Sequence, residues 1–403
     1  MTIVFVTHAT DLPALDGMIA GEIAARRDAV FIPLFAGGAG LGRYDCAQHV
    51  LAHGELAPNG LLWAERATDR FVGAPIQYGA VARLDEPAIV VPVNPAVPAQ
   101  AVMAERARDG ALARGHAVET CEVTEEDGTF VARPSGSDDV IGRWRRDAFG
   151  RPQAEGAPAH RNGGIPLRIL LVGEEDLLRD TYPANLAALG DAADALGLAV
   201  EPVFLDARAS AGQPVEAILA AVDGVILPGG SDMEQVPGQI EIAQAAMRHD
   251  LPTLGLCLGM QTMATAAVRN LAGFNDANLA EADPDAQTKT FVRLRDAEGR
   301  PDFRVGLDRS RIVQGTHLSA IFAGAEETRI HCNHRFVLDP ALHRPLAAGG
   351  LVISGLQAER DLADAIEMPA LRFFIGMQGH PELLSRPGRP HPLFRAFLSA
   401  AAR

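Results

Sequence analysis

The chemistry of this chain is read first from one segment, "LPTLGLCLGMQ" at 251–261. It puts Cys257 between an apolar run and a helical run, flanked by Gly255 and Gly259. Such a segment folds as strand, sharp turn and helix, and a nucleophile at the turn is held in a strained backbone with its side chain exposed above the sheet. The glycines leave room for the close approach that this requires. The start of the following helix lowers a thiol's pKa, and its amides can hold an oxyanion. On this segment alone, Cys257 reads equally well as a small buried apolar residue.

Two further segments supply what a nucleophile needs. "FFIGMQGHPELL" (373–384) is an apolar strand ending in His380-Pro381-Glu382. Residues two apart in an extended segment point to one side. Glu382 can then hold the imidazole in its useful tautomer while His380 takes the thiol proton. "VILPGGSD" (225–232) is a strand running into two glycines, where a backbone N–H can turn toward developing negative charge. Gly230 and the amide of Leu258 are the oxyanion-hole candidates. A bare PGG is only a turn; it gains weight from the other two segments.

The elements that must position these residues follow from the local patterns. At 403 residues the chain is too long for one ordinary core, and two domains are expected. In the first part of the chain, strands at 2–7, 29–35 and 87–94 alternate with helices at 12–27 and 98–115, which favours an α/β layer. Residues 133–166 are rich in Gly, Pro, Arg and Asp without a sustained period and read as a linker or surface loop. Periodic structure restarts with the strand "LRILLVG" (167–173), a helix at 181–197 and a strand at 199–206. A helix, strand and turn over 216–232 and a helix at 238–250 lead to the cysteine segment. The expected division is therefore 1–132, an α/β domain of unknown activity; 133–166, linker; and 167–403, the domain carrying Cys257.

The bulk numbers exclude several classes. The chain has 36 basic and 51 acidic residues, a net charge of −15, which argues against nucleic acid or an anionic membrane as partner. Its four cysteines, Cys46, Cys121, Cys257 and Cys332, form no C-x-x-C pair, so neither a zinc ribbon nor a disulfide scaffold is expected. No apolar run approaches a membrane span, and the start lacks the pattern of a signal peptide. A cytoplasmic protein with reduced thiols is expected, and no metal.

These residues carry a resemblance. The second domain resembles the class I glutamine amidotransferase (glutaminase) domain, most closely that of the CTP synthase type. The matching spans are "DGVILPGG" (223–230), "LPTLGLCLGMQ" (251–261), "RNLAGFNDANLAEADPD" (269–285), "NHRF" (333–336) and "GHPELLSRPGRPHPLFRAF" (379–397). The resemblance implies a doubly wound, flavodoxin-like α/β domain behind a smaller N-terminal α/β domain. It implies Cys257 as nucleophile, His380 as base, Glu382 as orienter, and Gly230 and Leu258 as oxyanion donors. It places Gln261, Glu281 and Arg335 around glutamine, with Glu281 near the α-amino group and Arg335 near the α-carboxylate. A zwitterionic head group suits one carboxylate and one guanidinium. The implied reaction is thiolate attack on the side-chain amide, a γ-glutamyl thioester with loss of ammonia, then hydrolysis, without a cofactor. A homo-oligomer is also expected.

The chain departs from that pattern at named places. "VFVTHATDLPALDGMIAGEIAA" (4–25) has the opening strand and helix but no GKG, and Gly17 falls where the phosphate-loop lysine belongs. ATP phosphoryl transfer to UTP then loses its main electrostatic support, so CTP synthesis is not expected. "GGAGLG" (37–42) is a glycine-rich loop that reads first as a turn, and which nucleotide the N-terminal domain takes is open. Its titratable residues His8, Asp11, Tyr44, Asp45 and His49 form no pattern. Ser231 and Asp232 follow the PGG turn where the family has an aromatic residue and a glycine. Gly379 replaces a bulky residue before the histidine and is expected to open space beside the site. Three functions are therefore weighed: an amidotransferase passing ammonia to the first domain or a partner, a stand-alone γ-glutamyl amide hydrolase, and a catalytically idle binding or regulatory homologue.

Overall fold

A computed structural model of the chain describes residues 1–35, 48–157, 163–208, 215–271 and 273–403. The chain forms two compact units, one of Met1–His160 with Asp176–Ala187 and one of Arg161–Glu175 with Ala188–Arg403.

The first unit runs β1 (Thr2–His8), α1 (Met18–Arg26), β2 (Val30–Phe31), β3 (Gln48–Val50), β4 (Leu56–Pro58), α2 (Leu61–Thr68), α3 (Tyr78–Val81), β5 (Ala88–Val93), α4 (Pro98–Ala113), β6 (Ala117–Glu126), β7 (Thr129–Pro134), β8 (Gly142–Arg146) and β9 (Pro152–Ala154). Seven strands make one sheet in the order β2-β5-β1-β6-β7-β8-β9. The pairs from β2 to β6 are parallel, and those from β6 to β9 antiparallel. β1 is apolar on both faces because it lies inside the parallel part, covered above and below.

Two expectations for this unit change. The helix expected over 12–27 begins only at Met18. Pro13 lies in the loop before it, and Gly17 takes a left-handed φ of 80° at the helix start. Ring carbon Cζ of Phe31 stands 3.3 Å from where a Cβ at Gly17 would be. The stretch 133–166, expected as a linker, contains β8 and β9. These strands are too short to show a period and are anchored by a single apolar side chain. Trp144 is fully buried, donates its indole N–H to Glu22 at 3.2 Å and lies under the Arg26 guanidinium at 4.3 Å.

The second unit runs β10 (Gly163–Val172), α5 (Ala184–Leu196, whose start groups with the first unit), β11 (Leu198–Leu205), α6 (Val215–Leu219), β12 (Gly224–Leu227), α7 (Val236–Arg248), β13 (Thr253–Leu256) and α8 (Leu258–Leu271). It continues with β14 (Phe291–Arg293), β15 (Arg304–Ile312), α9 (His317–Ile321), β16 (Glu327–His334), β17 (Phe336–Leu338), α10 (His343–Ala348), β18 (Val352–Gln357), β19 (Ala363–Glu367), β20 (Phe374–Met377) and α11 (Pro392–Ala401). Nine strands form a sheet in the order β11-β10-β12-β13-β20-β19-β18-β15-β16. The first five are parallel, and numbered along the chain they read 2-1-3-4-5, the flavodoxin-like doubly wound order. The remaining four are antiparallel. In open α/β sheets the crevice beyond the carboxyl ends of the strands is where ligands bind. The loops that open there carry Gly229 after β12, Cys257 after β13 and His380 after β20.

Helix α8 is buried from Leu258 to Val268 and packs on this sheet with Met260, Met263, Leu227 and Phe374 in one core. Burying each such side chain stabilises the fold by about 2–3 kcal/mol, which fixes the helix start beside the cysteine. Among the described residues, no helix is long and apolar enough to cross a membrane.

Candidate active site

Cys257 is held between β13 and α8 with φ 50°, in the left-handed region that non-glycine residues rarely occupy. Its own amide donates to Met377 O at 2.8 Å, and its carbonyl accepts from Gln261 N at 3.2 Å. The flanking glycines are required by packing. A Cβ on Gly259 would overlap the carbonyl of Leu227, and one on Gly255 would overlap the Met263 sulfur. Helix α8 therefore lies against β12 and β13 closely enough to bring its first amides to the cysteine. Leu258 is the first residue of α8, so its N–H has no carbonyl within the helix to bond.

His380 faces the same sulfur. Its Nδ1 lies 2.8 Å from Glu382 Oε1, and both side chains are buried. Burial alone would lower the imidazole pKa, but the Cys257 and Glu382 side chains outweigh it through charge and hydrogen bonding and hold it well above its usual value. The route by which Glu382 reaches His380 differs from the expected strand alternation. Pro381–Leu384 is a 3-10 turn, and His380 has ψ 76° at its start. The turn, opened by a proline at its first position, swings the carboxylate back to Nδ1.

The turn after β12 contributes a residue that sequence reasoning missed. A Cβ at Gly229 would stand 3.0 Å from His380 Cε1 and 3.1 Å from Cys257 Cβ. Gly229, rather than the candidate Gly230, is the glycine pressed against both; Gly230 follows it, half-buried. The neighbouring substitution has a structural use. Asp232 accepts from Glu234 N at 3.0 Å, capping a short 3-10 turn, and lies 3.6 Å from Arg208.

A second missed residue is Gln378. It is fully buried, and its Nε2 lies 3.9 Å from Cys257 Sγ. It directly follows β20, and its role shows only in this distance to the sulfur on the neighbouring β13–α8 elbow.

Gly379 does not open space. A Cβ there would stand 2.7 Å from His331 O and 2.9 Å from Ile330 Cβ, because β16 runs directly alongside. The bond from His380 N to His331 O, 2.8 Å, locks that approach.

Of the head-group candidates, Gln261 is buried in the first turn of α8, next to the elbow. Glu281 and Arg335 are brought together. Burial raises the Glu281 pKa, opposed by the charges of Arg335 and Arg293. The Arg335 guanidinium stacks on Phe303 at 4.2 Å and directly follows β16, whose Cys332 feels the charge of Cys257. Glu281 and Arg335 are thus near enough for their charges to act on one another.

Behind the strand of Gln378 and His380 lies a buried polar layer. Arg304 bonds Asp364 at 2.6 Å and approaches His334 at 3.4 Å. Burial, with Arg304 and His380 nearby, drives the His334 pKa well below its usual value, so this imidazole is neutral. Cys332 is pushed upward by burial, as is Cys121, to about 11. Both therefore stay thiols at neutral pH.

In the first unit, His49 is fully buried with its Nε2 3.4 Å from Glu65, and His8 packs edge-on against Phe130 at 5.7 Å. The loop 37–42, Tyr44 and Asp45 lie outside the described residues.

Comparison with known proteins places this geometry. The class-I glutamine amidotransferase family model matches residues 177–400. The CTP synthase of Levilactobacillus brevis is 33% identical over 241 residues, 59% of this chain and 45% of that protein. That of Streptococcus sanguinis is 34% identical over 239 residues, 58% of this chain and 44% of that one. The match thus spans less than half the length of these relatives. Among solved structures, the glutaminase domain of Trypanosoma brucei CTPS with bound acivicin superimposes with a TM-score of 0.55 at 28% identity, covering 59% of this chain and 94% of that one.

Proposed function

The chain belongs to the class-I glutamine amidotransferase family, and from that premise we propose that its second unit hydrolyses L-glutamine with Cys257, His380 and Glu382. The observation that carries this reading is the left-handed Cys257 at a strand–helix elbow, facing an imidazole whose Nδ1 is 2.8 Å from a buried carboxylate. In this reading the raised His380 pKa favours an imidazolium facing the sulfur. The thiolate adds to the side-chain carboxamide carbon, and the oxyanion is held by the amides of Leu258 and of the Gly229-Gly230 turn. His380 then gives its proton to the departing nitrogen, ammonia leaves, and the γ-glutamyl thioester remains. Water adds to that thioester as His380 takes its proton, releasing glutamate. Glu281 and Arg335 bind the α-amino and α-carboxylate groups.

Ammonia is passed, in this reading, to an acceptor held by the first unit or by a partner. Making CTP is not part of it. The β1–α1 loop offers phosphates a buried carboxylate, Asp16, beside a Gly17 whose left-handed backbone and crowded Cβ position exclude a lysine. A stand-alone hydrolase of substituted γ-glutamyl amides keeps the missing phosphate loop as a ground but loses the open Gly379, whose Cβ position is filled in by Ile330 and His331.

The test is glutamate release from L-glutamine, screened with nucleotides and candidate acceptors. Cys257→Ala should abolish release while leaving any synthesis from free ammonia intact. Acivicin, the compound bound in the Trypanosoma brucei domain, should alkylate Cys257 and block turnover. Absence of glutamate release under every condition, together with absence of labelling at Cys257, would reject the reading.

A further inference from the structure

The carboxamide of Gln378 is placed in a way that its packing alone does not explain. The residue has no exposed surface, and its Oε1 is buried without a hydrogen-bond partner. A buried acceptor left unsatisfied is a cost to the fold, and a methionine of the same length would avoid it. What the polar end does touch is the nucleophile, through Nε2 at 3.9 Å from Cys257 Sγ.

The surrounding backbone fixes that contact from several sides. Gln378 N donates to Asp364 O at 2.7 Å, and Asp364 is itself held by Arg304 at 2.6 Å. One residue earlier, Met377 O receives the amide of Cys257 at 2.8 Å. Two residues later, His380 N is bonded to His331 O, and the intervening Gly379 is too crowded to move. The segment after β20 therefore presents two side chains to one sulfur: an imidazole that exchanges protons and a carboxamide that only donates. A neutral N–H donor favours the charged sulfur over the thiol, because hydrogen bonds to an ion are the stronger ones. Its help ends when the sulfur becomes a thioester and carries no charge, so its effect falls on the free enzyme.

We infer that Gln378 is a thiolate-holding residue of the glutaminase site, which donates Nε2–H to Cys257 and sets the pH range over which the sulfur is reactive. The inference deepens the glutaminase reading and rests on it for its biological meaning, but its readout does not require turnover. The experiment is the pH dependence of iodoacetamide alkylation, followed by mass spectrometry on the peptide carrying Cys257, in the full-length wild type and in Gln378→Met. Thermal unfolding is measured on the same two proteins.

The expected result is a profile displaced to higher pH in Gln378→Met by about half to one unit, meaning alkylation roughly three- to tenfold slower on the acid side. The unfolding midpoint should be unchanged or raised, because an unsatisfied polar group has been removed. A Gln378→Glu protein, with the same shape but a repelling charge, should displace the profile further in the same direction. Superimposable profiles for the wild type and Gln378→Met would overturn the inference. So would a wild-type Cys257 that titrates like an ordinary free thiol. If Gln378→Met does not fold, the Gln378→Glu profile decides alone: no displacement overturns the inference. Failure of glutamate release in a protein that shows the displaced profiles would reject the glutaminase reading and leave this contact standing.

Discussion

Cys257 holds its left-handed φ of 50° at a cost of about 1–2 kcal/mol, and the cost is met because its amide is bonded to Met377 and its carbonyl to Gln261. The strain aims the sulfur at His380. At this scale the decisive quantity is the charge on the imidazole, since a general acid must be protonated when ammonia leaves. The charges and hydrogen bonds of Cys257 and Glu382 raise His380 above its ordinary value, so the alkaline limb of the activity profile should report the loss of its proton. Glu382 is one of the two groups that raise it. Glu382→Gln should therefore move the alkaline limb of the kcat/KM profile to lower pH and reduce kcat roughly a hundredfold or more, since the tautomer is also lost. A variant whose alkaline limb stays in place would show that the carboxylate does not set the imidazole's charge. The triad was legible in the sequence because Cys257 lies between two nearby glycines and His380 and Glu382 flank a proline, each marking a turn. Gly229 and Gln378 were not, because their roles exist only as distances across strands: a glycine beside another glycine, and an amide one strand away from the sulfur.

At the scale of elements, the site is a matter of how closely three pieces of backbone approach. Helix α8 presses on β12, so Gly259 admits no side chain, and β16 presses on the segment after β20, so Gly379 admits none. The second contact bears directly on catalysis. Gly379→Ala would place a Cβ 2.7 Å from His331 O and force the His380 segment away from β16. The expected outcome is a loss of about 1–3 kcal/mol in stability together with a fall in kcat larger than any change in KM, since the base moves and the head-group residues do not. Steady-state kinetics with urea unfolding would check it, and a Gly379→Ala enzyme with wild-type kcat would show that the base tolerates the shift. Pattern reading located β13, α7 and the helix after Cys257, whose apolar periods are strong. It missed the start of α1 by several residues, because the segment 12–17 has helical composition but contains Pro13 and the left-handed Gly17. It also took Gly142–Arg146 and Pro152–Ala154 for linker, since strands this short owe their existence to a neighbouring strand and a buried Trp144.

At the scale of the whole molecule, the two units differ in what their local sequence reveals. The parallel half of the second sheet is built from buried strands joined by helices, and that alternation is visible along the chain. Its antiparallel half, β15, β16, β18 and β19, pairs strands such as "RVGLDRSRI" whose polar residues find partners across the sheet, Arg304 on Asp364 being the deepest case. The first unit displayed its strand–helix alternation but not its chemistry, and its most informative group came from burial. Asp16 is almost wholly buried beside Asn94, and burial raises its pKa from 3.8 to about 6, against the hydrogen bond from Asn94 that lowers it. The folded state therefore holds this proton more tightly than the unfolded chain does. Stability contributed by Asp16 falls as pH rises from about 4 to about 6, and above that the ionised carboxylate is a standing cost of up to about 3 kcal/mol. Asp16→Asn removes the charge and keeps a polar partner for Asn94. The variant should match the wild type near pH 3.5 and exceed it by as much as about 3 kcal/mol at pH 7.5, read from the urea transition of the first unit. Equal stability of the two proteins at pH 7.5 would mean that the carboxylate finds enough compensation within the folded protein to offset its burial.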